Sequence, residues 1–450
     1  MIIYKFGGTS VGQPERMRKV AQIITKNAEE KIVVLSAVSG TTNTLVEIGE
    51  LLLLGKESIA QKIVQDLRSK YDQFVKQLFN TQEGLSRGEK VLNTFFGNLN
   101  VLLKIPDFNT GNNKTLLALG ELLSTNLFHH YLTEQGIENR LLSALDFMSI
   151  NDENEPEVEK ISVQLSKLLK DHPSPLYITQ GFICKNPQGQ TDNLQRGGSD
   201  YTASLIGAAI KAKEVQIWTD IDGMHNNDPR IVDETYPVGE LTFDEAAELA
   251  YFGAKILHPS SILPAQKYNI PVRLKSTIDE EAQGTLIGIS SSINSDVKAI
   301  AVKDQITAIK IKSTRMLLAH GFLKKVFEVF EKYRTSIDMI TTSEVAVSLT
   351  IDNDAHLPQI STELQLFGTV EIDQNQSIIC VVGNMVSEKK GVLKKIFDAI
   401  PNIPVRMVSY GGSRNNISIL IETNYKEETL KLLNSGLFES SQMSLNQEPS

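Results

Sequence analysis

Four short stretches hold the residues that could move a phosphoryl group. The first is Lys5-Phe6-Gly7-Gly8-Thr9-Ser10, where an apolar run (Ile2, Ile3, Tyr4, Phe6) holds one lysine and then breaks into two glycines and two hydroxyls. Glycines let backbone N–H groups approach an anion, and hydroxyls add donors. Gly7 and Gly8 would line a phosphate cradle, and Lys5 would supply a point charge beside it. No G-x-x-x-x-G-K-[ST] is present, so this is not a Walker A loop. An ordinary strand–turn–helix junction accounts for these ten residues equally well. The second stretch is Ser36-Ala-Val-Ser-Gly40, and the third is Arg196-Gly197-Gly198-Ser199-Asp200, where Arg suits a carboxylate gripped bidentately. The fourth is Val215–Asp220, a strand with Asp220 at its carboxyl end. Phosphoryl transfer needs cations near the transferring group, carboxylates for Mg2+ and a positioned acceptor, with little covalent work from the protein. Lys5 and Lys255 are the candidate cations; Asp200 and Asp220 are the candidate carboxylates. Each alone reads more often as a surface charge, and it is their common place at loop ends that joins them.

The elements behind those loops follow from periodicity. Pro14 suits a first helical position, and Met17, Val20, Ala21 and Ile24 give one apolar face. Ile32–Leu35 is a second buried strand, and Thr41–Leu54 is helical again. Strand–loop–helix units in succession predict an α/β fold with a parallel sheet, whose ligand-binding loops lie at the carboxyl ends of the strands. Gly120–Ser124 is expected to open a helix with Glu121 in its first turn, where a carboxylate also complements the helix dipole. Tyr177–Ile183 reads as a strand, Pro187-Gln-Gly189 as a hairpin turn, Thr202–Ala212 as a helix, and Thr242-x-x-Glu245 as a capping box opening a helix at Phe243. The chain has 450 residues, a net charge of −9 and two cysteines, Cys184 and Cys380. Length predicts two or more domains, the charge argues against a nucleic-acid partner, and the distant cysteines suggest neither a disulfide framework nor a metal cluster. With no signal peptide and no long apolar run, a cytoplasmic protein without a membrane span is expected.

The composition changes at Ile287–Val297, a serine-rich stretch read as a linker. Beyond it a pattern repeats: Gly321-Phe-Leu-Lys-Lys-Val-Phe327 returns as Gly391-Val-Leu-Lys-Lys-Ile-Phe397. Each copy resembles a βαββαβ small-molecule-sensing unit. The second copy lacks one strand, and Ala299–Lys303 has no partner in the first. The expected organisation is therefore a catalytic domain over 1–286, a linker over 287–298, a first unit over 306–373, a second over 299–305 plus 374–438, and a polar, disordered tail over 439–450.

These motifs, in register along almost the whole chain, resemble aspartate kinase, an amino-acid kinase family member with a three-layer αβα catalytic sandwich and tandem ACT domains. The matching residues are Lys5–Ser10, Ser36-x-x-x-Gly40 with Thr42, Gly120-Glu121, Arg196–Asp200, Trp218–Asp220, Asp228-Pro-Arg230, Phe252-Gly-Ala-Lys-x-Leu-His-Pro259, Gly321-Phe-Leu323 and Ser336–Glu344. The resemblance implies ATP-dependent phosphorylation of the L-aspartate side-chain carboxylate, giving 4-phospho-L-aspartate, the first step towards lysine, threonine and methionine, with ATP as co-substrate and Mg2+. It implies Lys5 and Asp200 as catalytic, and Ser36, Thr42, Glu121, Arg196, Gly197 and Gly198 at the substrate. Lys5, Gly7, Gly8, Thr219, Asp220, His225, Arg230 and Lys255 would hold the nucleotide. Met316, Ala319, Phe322, Leu323, Ser336, Ile337, Asp338, Thr342, Ser343 and Glu344 would form the effector pocket of a lysine-sensitive member, at an interface that makes a homodimer or tetramer. Gln195 stands where the family usually has glycine, His225 where it has tyrosine and Ala319 where lysine-sensitive members have serine. No homoserine dehydrogenase segment follows, which implies a monofunctional kinase. Glutamate 5-kinase, N-acetylglutamate kinase and uridylate kinase are rivals within the fold. A catalytically silent amino-acid sensor is the rival of another class, set against the presence of Lys5, Asp200 and Asp220.

Overall fold

The computed structural model describes residues 1–194, 197–253, 257–291, 295–312 and 320–445. The chain packs as two compact units. The first comprises Met1–Met224, Gly239–Phe243 and Ile256–Ser291, and the second His225–Val238, Asp244–Lys255 and Ser292–Ser450.

The first unit opens with β1 (Ile2–Phe6), α1 (Pro14–Thr25), β2 (Lys31–Leu35), α2 (Thr41–Leu53), α3 (Glu57–Leu78), α4 (Gln82–Leu102) and α5 (Thr110–Glu134). It continues with β3 (Arg140–Leu142), α6 (Val158–Asp171), β4 (Leu176–Gln180), the hairpin β5 (Ile183–Lys185) and β6 (Thr191–Asn193), α7 (Gly198–Ile210) and β7 (Val215–Thr219). Further along the chain come β8 (Glu240–Thr242), α8 (Phe243–Tyr251), α9 (Leu263–Lys267), β9 (Val272–Ser276) and β10 (Thr285–Gly288). The sheet order is β3-β4-β2-β1-β7-β9-β10-β8. Its ladders are parallel, as predicted, except that β10 runs against β9. Alternation along β1 sends its side chains to two layers. Ile2, Tyr4 and Phe6 join one core with residues of α1 to α5, while Ile3 faces Gly207 of α7 across the other layer. Lys5, two residues from Ile3, shares the α7 side.

The second unit is built on β11 (Ala299–Lys312), α10 (Phe322–Lys332), β12 (Ile340–Thr342), β13 (Ala346–Ile351), α11 (Leu357–Leu364), β14 (Thr369–Val382), α12 (Val392–Ala399), β15 (Met407–Tyr410), β16 (Asn416–Glu422) and α13 (Lys426–Leu445). The order β12-β13-β11-β14-β16-β15 makes one antiparallel sheet. Its two long strands are shared. Ala299–Lys303 pairs with Ile378–Val382, whereas Ile306–Lys312 pairs with Thr369–Gln376 across a register shift. Two apolar clusters follow the division: Phe322, Val326 and Phe330 pack on Ile309, Val347 and Leu349, and Val392 and Ile396 pack on Ile379, Ile419 and Leu433.

Several expectations give way to the structure. Gly120 does not open a helix: α5 begins at Thr110, because the Asn109 side chain accepts from the backbone of Gly111 and Asn112 and Asn112 returns a bond to Asn109. Glu121 is thus mid-helix and buried. Helix α7 starts at Gly198 rather than Thr202, its glycine cap taking the left-handed conformation. The tail expected to be disordered from 439 is helical to Leu445. Residues 225–238 and 244–253 pack with the second unit, held there by buried contacts such as Glu245 with Lys298 and Asn227 with Asn434. Of the expected linker, Ile287 and Gly288 finish β10, and Val297 and Lys298 are buried. Among the described residues no helix is long and apolar enough to cross a membrane.

Candidate active site

Strand register brings the chemistry-bearing loops to one level. Phe6 pairs with Leu35 and with Trp218, and Leu35 pairs with Gln180. Gly7, Ser36, Gly181 and Thr219 therefore emerge side by side at the carboxyl ends of β1, β2, β4 and β7. Ser36 donates its backbone N–H to Phe6 at 3.2 Å and Ser39 to Gly8 at 3.1 Å, which ties the first two loops together. The fit is close: a Cβ on Gly8 would lie 2.8 Å from the Ala37 carbonyl oxygen.

Lys5 Nζ lies 2.6 Å from Asp200 Oδ1, both side chains mostly buried. The opening lysine and the last residue of the second glycine loop, far apart in sequence, form one ion pair. Asp200 stands in the first turn of α7, where the helix dipole favours a carboxylate. A Cβ on Gly7 would sit 3.5 Å from Lys5 Nζ, so the ammonium lies over the first glycine of the cradle. Gly197 needs its left-handed backbone (φ 64°), and a side chain there would meet Ser261 Cβ at 2.6 Å.

Behind the second loop, Glu121 Oε1 accepts from the Ala37 backbone N–H at 3.2 Å. Its Oε2 is buried and has no hydrogen-bond partner among the described residues. Burial pushes the Glu121 carboxyl up to about 7, against the Ala37 bond that favours the charged form. A half-satisfied carboxylate inside a protein is costly to ionise unless a cation reaches it. Ser124 donates to the Ser36 carbonyl at 2.8 Å, and Thr41, at the start of α2, shares a 2.6 Å hydrogen bond with buried Tyr71. Thr42 follows, half-buried.

Sequence reading passed over Ser199 and Gly181. Ser36 Oγ donates to Ser199 Oγ at 2.9 Å, joining the second loop to α7. Gly181 makes room for it, since a Cβ there would fall 2.2 Å from Ser199 Oγ. Ser199 lies inside the Gly197-Gly198-Ser199-Asp200 motif and was in that sense visible; nothing in the sequence marked Gly181.

The proposed nucleotide residues fall in both units. Thr219 and Asp220 belong to the first unit, where the Thr219 carbonyl accepts from the backbone and hydroxyl of Thr277 and its hydroxyl donates to Asp220 at 3.1 Å. His225 and Arg230 belong to the second unit. Arg230, largely exposed, grips Asp228 with two bonds of 2.9 and 2.6 Å, and His225 Nδ1 is 2.8 Å from Thr235 Oγ1. Arg196, Lys255, Met316 and Ala319 lie outside the described residues. In the second unit Phe322 and Ile337 pack on one apolar cluster. Leu323, Ser336, Thr342 and Glu344 are exposed, and Ser343 closes a turn on the Ala346 carbonyl at 2.8 Å. Asp338, expected in the effector pocket, takes Lys303 Nζ at 2.6 Å. Among the described residues no three His, Cys, Asp or Glu side chains gather as an ion-binding group.

A kinase sandwich followed by a paired sensing sheet defines the class, and comparison with known proteins agrees. The amino acid kinase family matches residues 1–276, and an ACT domain matches residues 379–437. The chain is 34% identical to lysine-sensitive aspartokinase 3 of Escherichia coli K12, over 98% of this chain and 99% of that protein. It is 36% identical to the chloroplastic aspartokinase 1 of Arabidopsis thaliana, over 98% of this chain and 81% of that one. The crystal structure of E. coli aspartokinase III in complex with lysine and aspartate superposes with a TM-score of 0.81 at 33% identity, covering 98% of this chain and 100% of that one. The same enzyme with aspartate and ADP gives 0.80 at 33% identity, with the same coverage. The chain belongs to the aspartokinase family: it is an aspartate kinase carrying ACT regulatory domains.

Proposed function

We propose that the strand-end loops bind L-aspartate beside ATP and transfer the γ-phosphoryl group to the aspartate side chain. A side-chain carboxylate is ionised at neutral pH and needs no general base. One of its oxygens forms the new bond to phosphorus, the bond from phosphorus to the β–γ bridging oxygen breaks, and ADP leaves with that electron pair. The protein's work is charge placement. Lys5 meets the phosphoryl oxygens, with Asp200 fixing the direction of its ammonium. Glu121 receives the substrate ammonium, Arg196 its α-carboxylate, and Ser36, Thr42, Gly197 and Gly198 complete the substrate wall. Gly7, Gly8, Thr219, Asp220, His225, Arg230 and Lys255 hold the nucleotide. With no three-ligand ion group among the described residues, Mg2+ would enter as part of MgATP, and exposed Asp220 is a carboxylate that could help hold it.

The single observation that carries this reading is the Lys5–Asp200 pair at 2.6 Å, set over the first glycine loop. ADP release with L-aspartate tests it in Lys5→Ala. We expect turnover to fall by about a thousandfold, in the range of lost transition-state charge stabilisation, in a chain that still folds. Near-normal turnover would remove Lys5 from the mechanism.

The second unit would sense an end-product amino acid, lysine first, as the lysine-sensitive relative suggests. The reading extends to a first ACT unit over 306–373 and a second over 299–305 plus 374–438. The pairing of Ala299–Lys303 with Ile378–Val382 supports that division. Symmetric pairing of these sheets would make a homodimer, and the reaction would open the pathway to lysine, threonine and methionine.

A further inference from the structure

Helices α3 and α4 carry no recognisable motif, yet α3 reaches the site through one hydroxyl. Tyr71, well inside α3 and 3% exposed, shares a 2.6 Å hydrogen bond with Thr41 Oγ1, which is also buried. The Tyr71 ring is held by Phe74 and Phe95, with ring centres 5.9 and 6.3 Å away. In a helix, threonine divides between two rotamers. Here two neighbours choose one. The hydroxyl turns to Tyr71, while the methyl lies towards α5, where a Cβ on Gly120 would come 3.7 Å from it.

The turn that Thr41 closes belongs to the substrate wall proposed above. Its backbone N–H donates to the Val38 carbonyl at 3.0 Å. Gly40, which caps α2, takes a left-handed backbone (φ 83°) and offers no side chain to the helix end. Backbone bonds to β1 and Gly8 tie the start and middle of the turn through Ser36 and Ser39. Tyr71 ties its end to α3. Between these anchors lies the Ala37 N–H that Glu121 accepts, and Thr42 follows directly. At 3.2 Å the Ala37 bond is long for one made to a carboxylate, so a small displacement of the turn would lose it. Burial above all pushes the Tyr71 hydroxyl well above its ordinary value, against the Thr41 bond and with the Glu121 carboxylate adding to it. The phenol therefore stays neutral at working pH, and what it contributes is a hydrogen bond rather than a proton.

We propose that Tyr71 is a positioning residue for L-aspartate: by fixing Thr41 it sets the 36–41 turn, so that Glu121 and Thr42 stand ready for the substrate. The inference rests on the reading of Glu121 as the seat of the substrate ammonium. Helix α3 is then part of the frame of the substrate site and not packing alone.

The test is Tyr71→Phe, which keeps the ring and removes one hydroxyl, with Thr41→Val and the double variant beside it. The double variant strands no hydroxyl in the interior, so it keeps the kinetics readable should a single variant fold poorly. Each full-length chain is assayed for ADP release over pH 5 to 9, with L-aspartate and ATP varied in turn. We expect KM for L-aspartate to rise about tenfold in either single variant, the scale of one lost hydrogen bond, with kcat and KM for ATP within about twofold of wild type. The double variant should be no worse than either single one, because the two hydroxyls act as a unit. The break in kcat/KM that belongs to Glu121 should move up by about one pH unit, as the Ala37 bond that favours its charged form loosens. A role in stability alone would lower the melting temperature and leave KM and the break in place, and that result would overturn the proposal. So would effects of the two single variants that simply add. Glu121→Gln, run alongside, separates the two readings. If it lowers kcat/KM while Tyr71→Phe changes neither KM nor the break, the inference fails alone. If it leaves kcat/KM unaltered, the ammonium seat is lost and the inference falls with it.

Discussion

Burial makes Glu121 costly to ionise, a cost that a substrate ammonium would offset, and this makes it the sharpest test of the site. Burial raises its carboxyl from an ordinary 4.5 to about 7. The difference is worth about 3 kcal/mol at 1.36 kcal/mol per unit. The sign follows from linkage. Below pH 4.5 the group is protonated in folded and unfolded chains alike. Between 4.5 and 7 the unfolded chain loses the proton first, so folding stability falls as pH rises and levels off above 7. In Glu121→Gln that loss disappears, so the ligand-free variant should be about 3 kcal/mol more stable than wild type at pH 8 and equal to it near pH 4.5. Catalysis should move the other way. Wild-type kcat/KM for L-aspartate should fall about tenfold per pH unit below 7, as Glu121 becomes neutral. The variant should lose the ionisable step and lie about a hundredfold below wild type at pH 8, the scale of a lost charge-assisted hydrogen bond, with KM for ATP little changed. Calorimetric melting and steady-state kinetics over pH 5 to 8 read both effects. A Glu121→Gln enzyme with unaltered kcat/KM, or one whose pH profile still breaks near 7, would refute the assignment of Glu121 to the substrate ammonium.

Two further substitutions probe the supports of the site. Lys298→Met removes the ammonium from the buried Lys298–Glu245 pair and should cost about 3–5 kcal/mol of stability, largely restored by Lys298→Met with Glu245→Leu; equal melting of wild type and single variant would contradict this. Gly181→Ala forces a Cβ to within 2.8 Å of the Ser199 Cα, which no side-chain rotation relieves. Overpacking should cost about 1–3 kcal/mol and raise KM for L-aspartate by displacing Ser199 from Ser36, whereas normal kinetics would show that Ser199 does not shape the substrate wall.

How much was legible in the sequence varied with the range of the interaction. The loops after β1 and β2 were readable because apolar runs ending in glycine fix both strand and turn locally. The α/β class and the duplicated sensing unit were readable for the same reason. Glu121 was misplaced in a first turn because the Asn109–Asn112 capping box upstream is polar and weakly periodic, and it outweighs the glycine at 120. Gly181 and Ser199 were missed because their importance is a close approach between strands and a helix far apart in sequence. Of the stripe Glu245, Glu248 and Tyr251, the sequence marked only Glu245, as the end of a capping box. Only the fold shows that each of its members has a partner in the sensing unit.

The central claim is that the transferred phosphoryl group ends on the side-chain carboxylate of free L-aspartate. Trapping with hydroxylamine tests it most directly, because an acyl phosphate gives a hydroxamate. Full-length enzyme with MgATP should form β-aspartyl hydroxamate in step with ADP when L-aspartate is present, and none with L-glutamate or N-acetylglutamate. ADP release with L-aspartate but without the hydroxamate, or hydroxamate from N-acetylglutamate instead, would contradict the account.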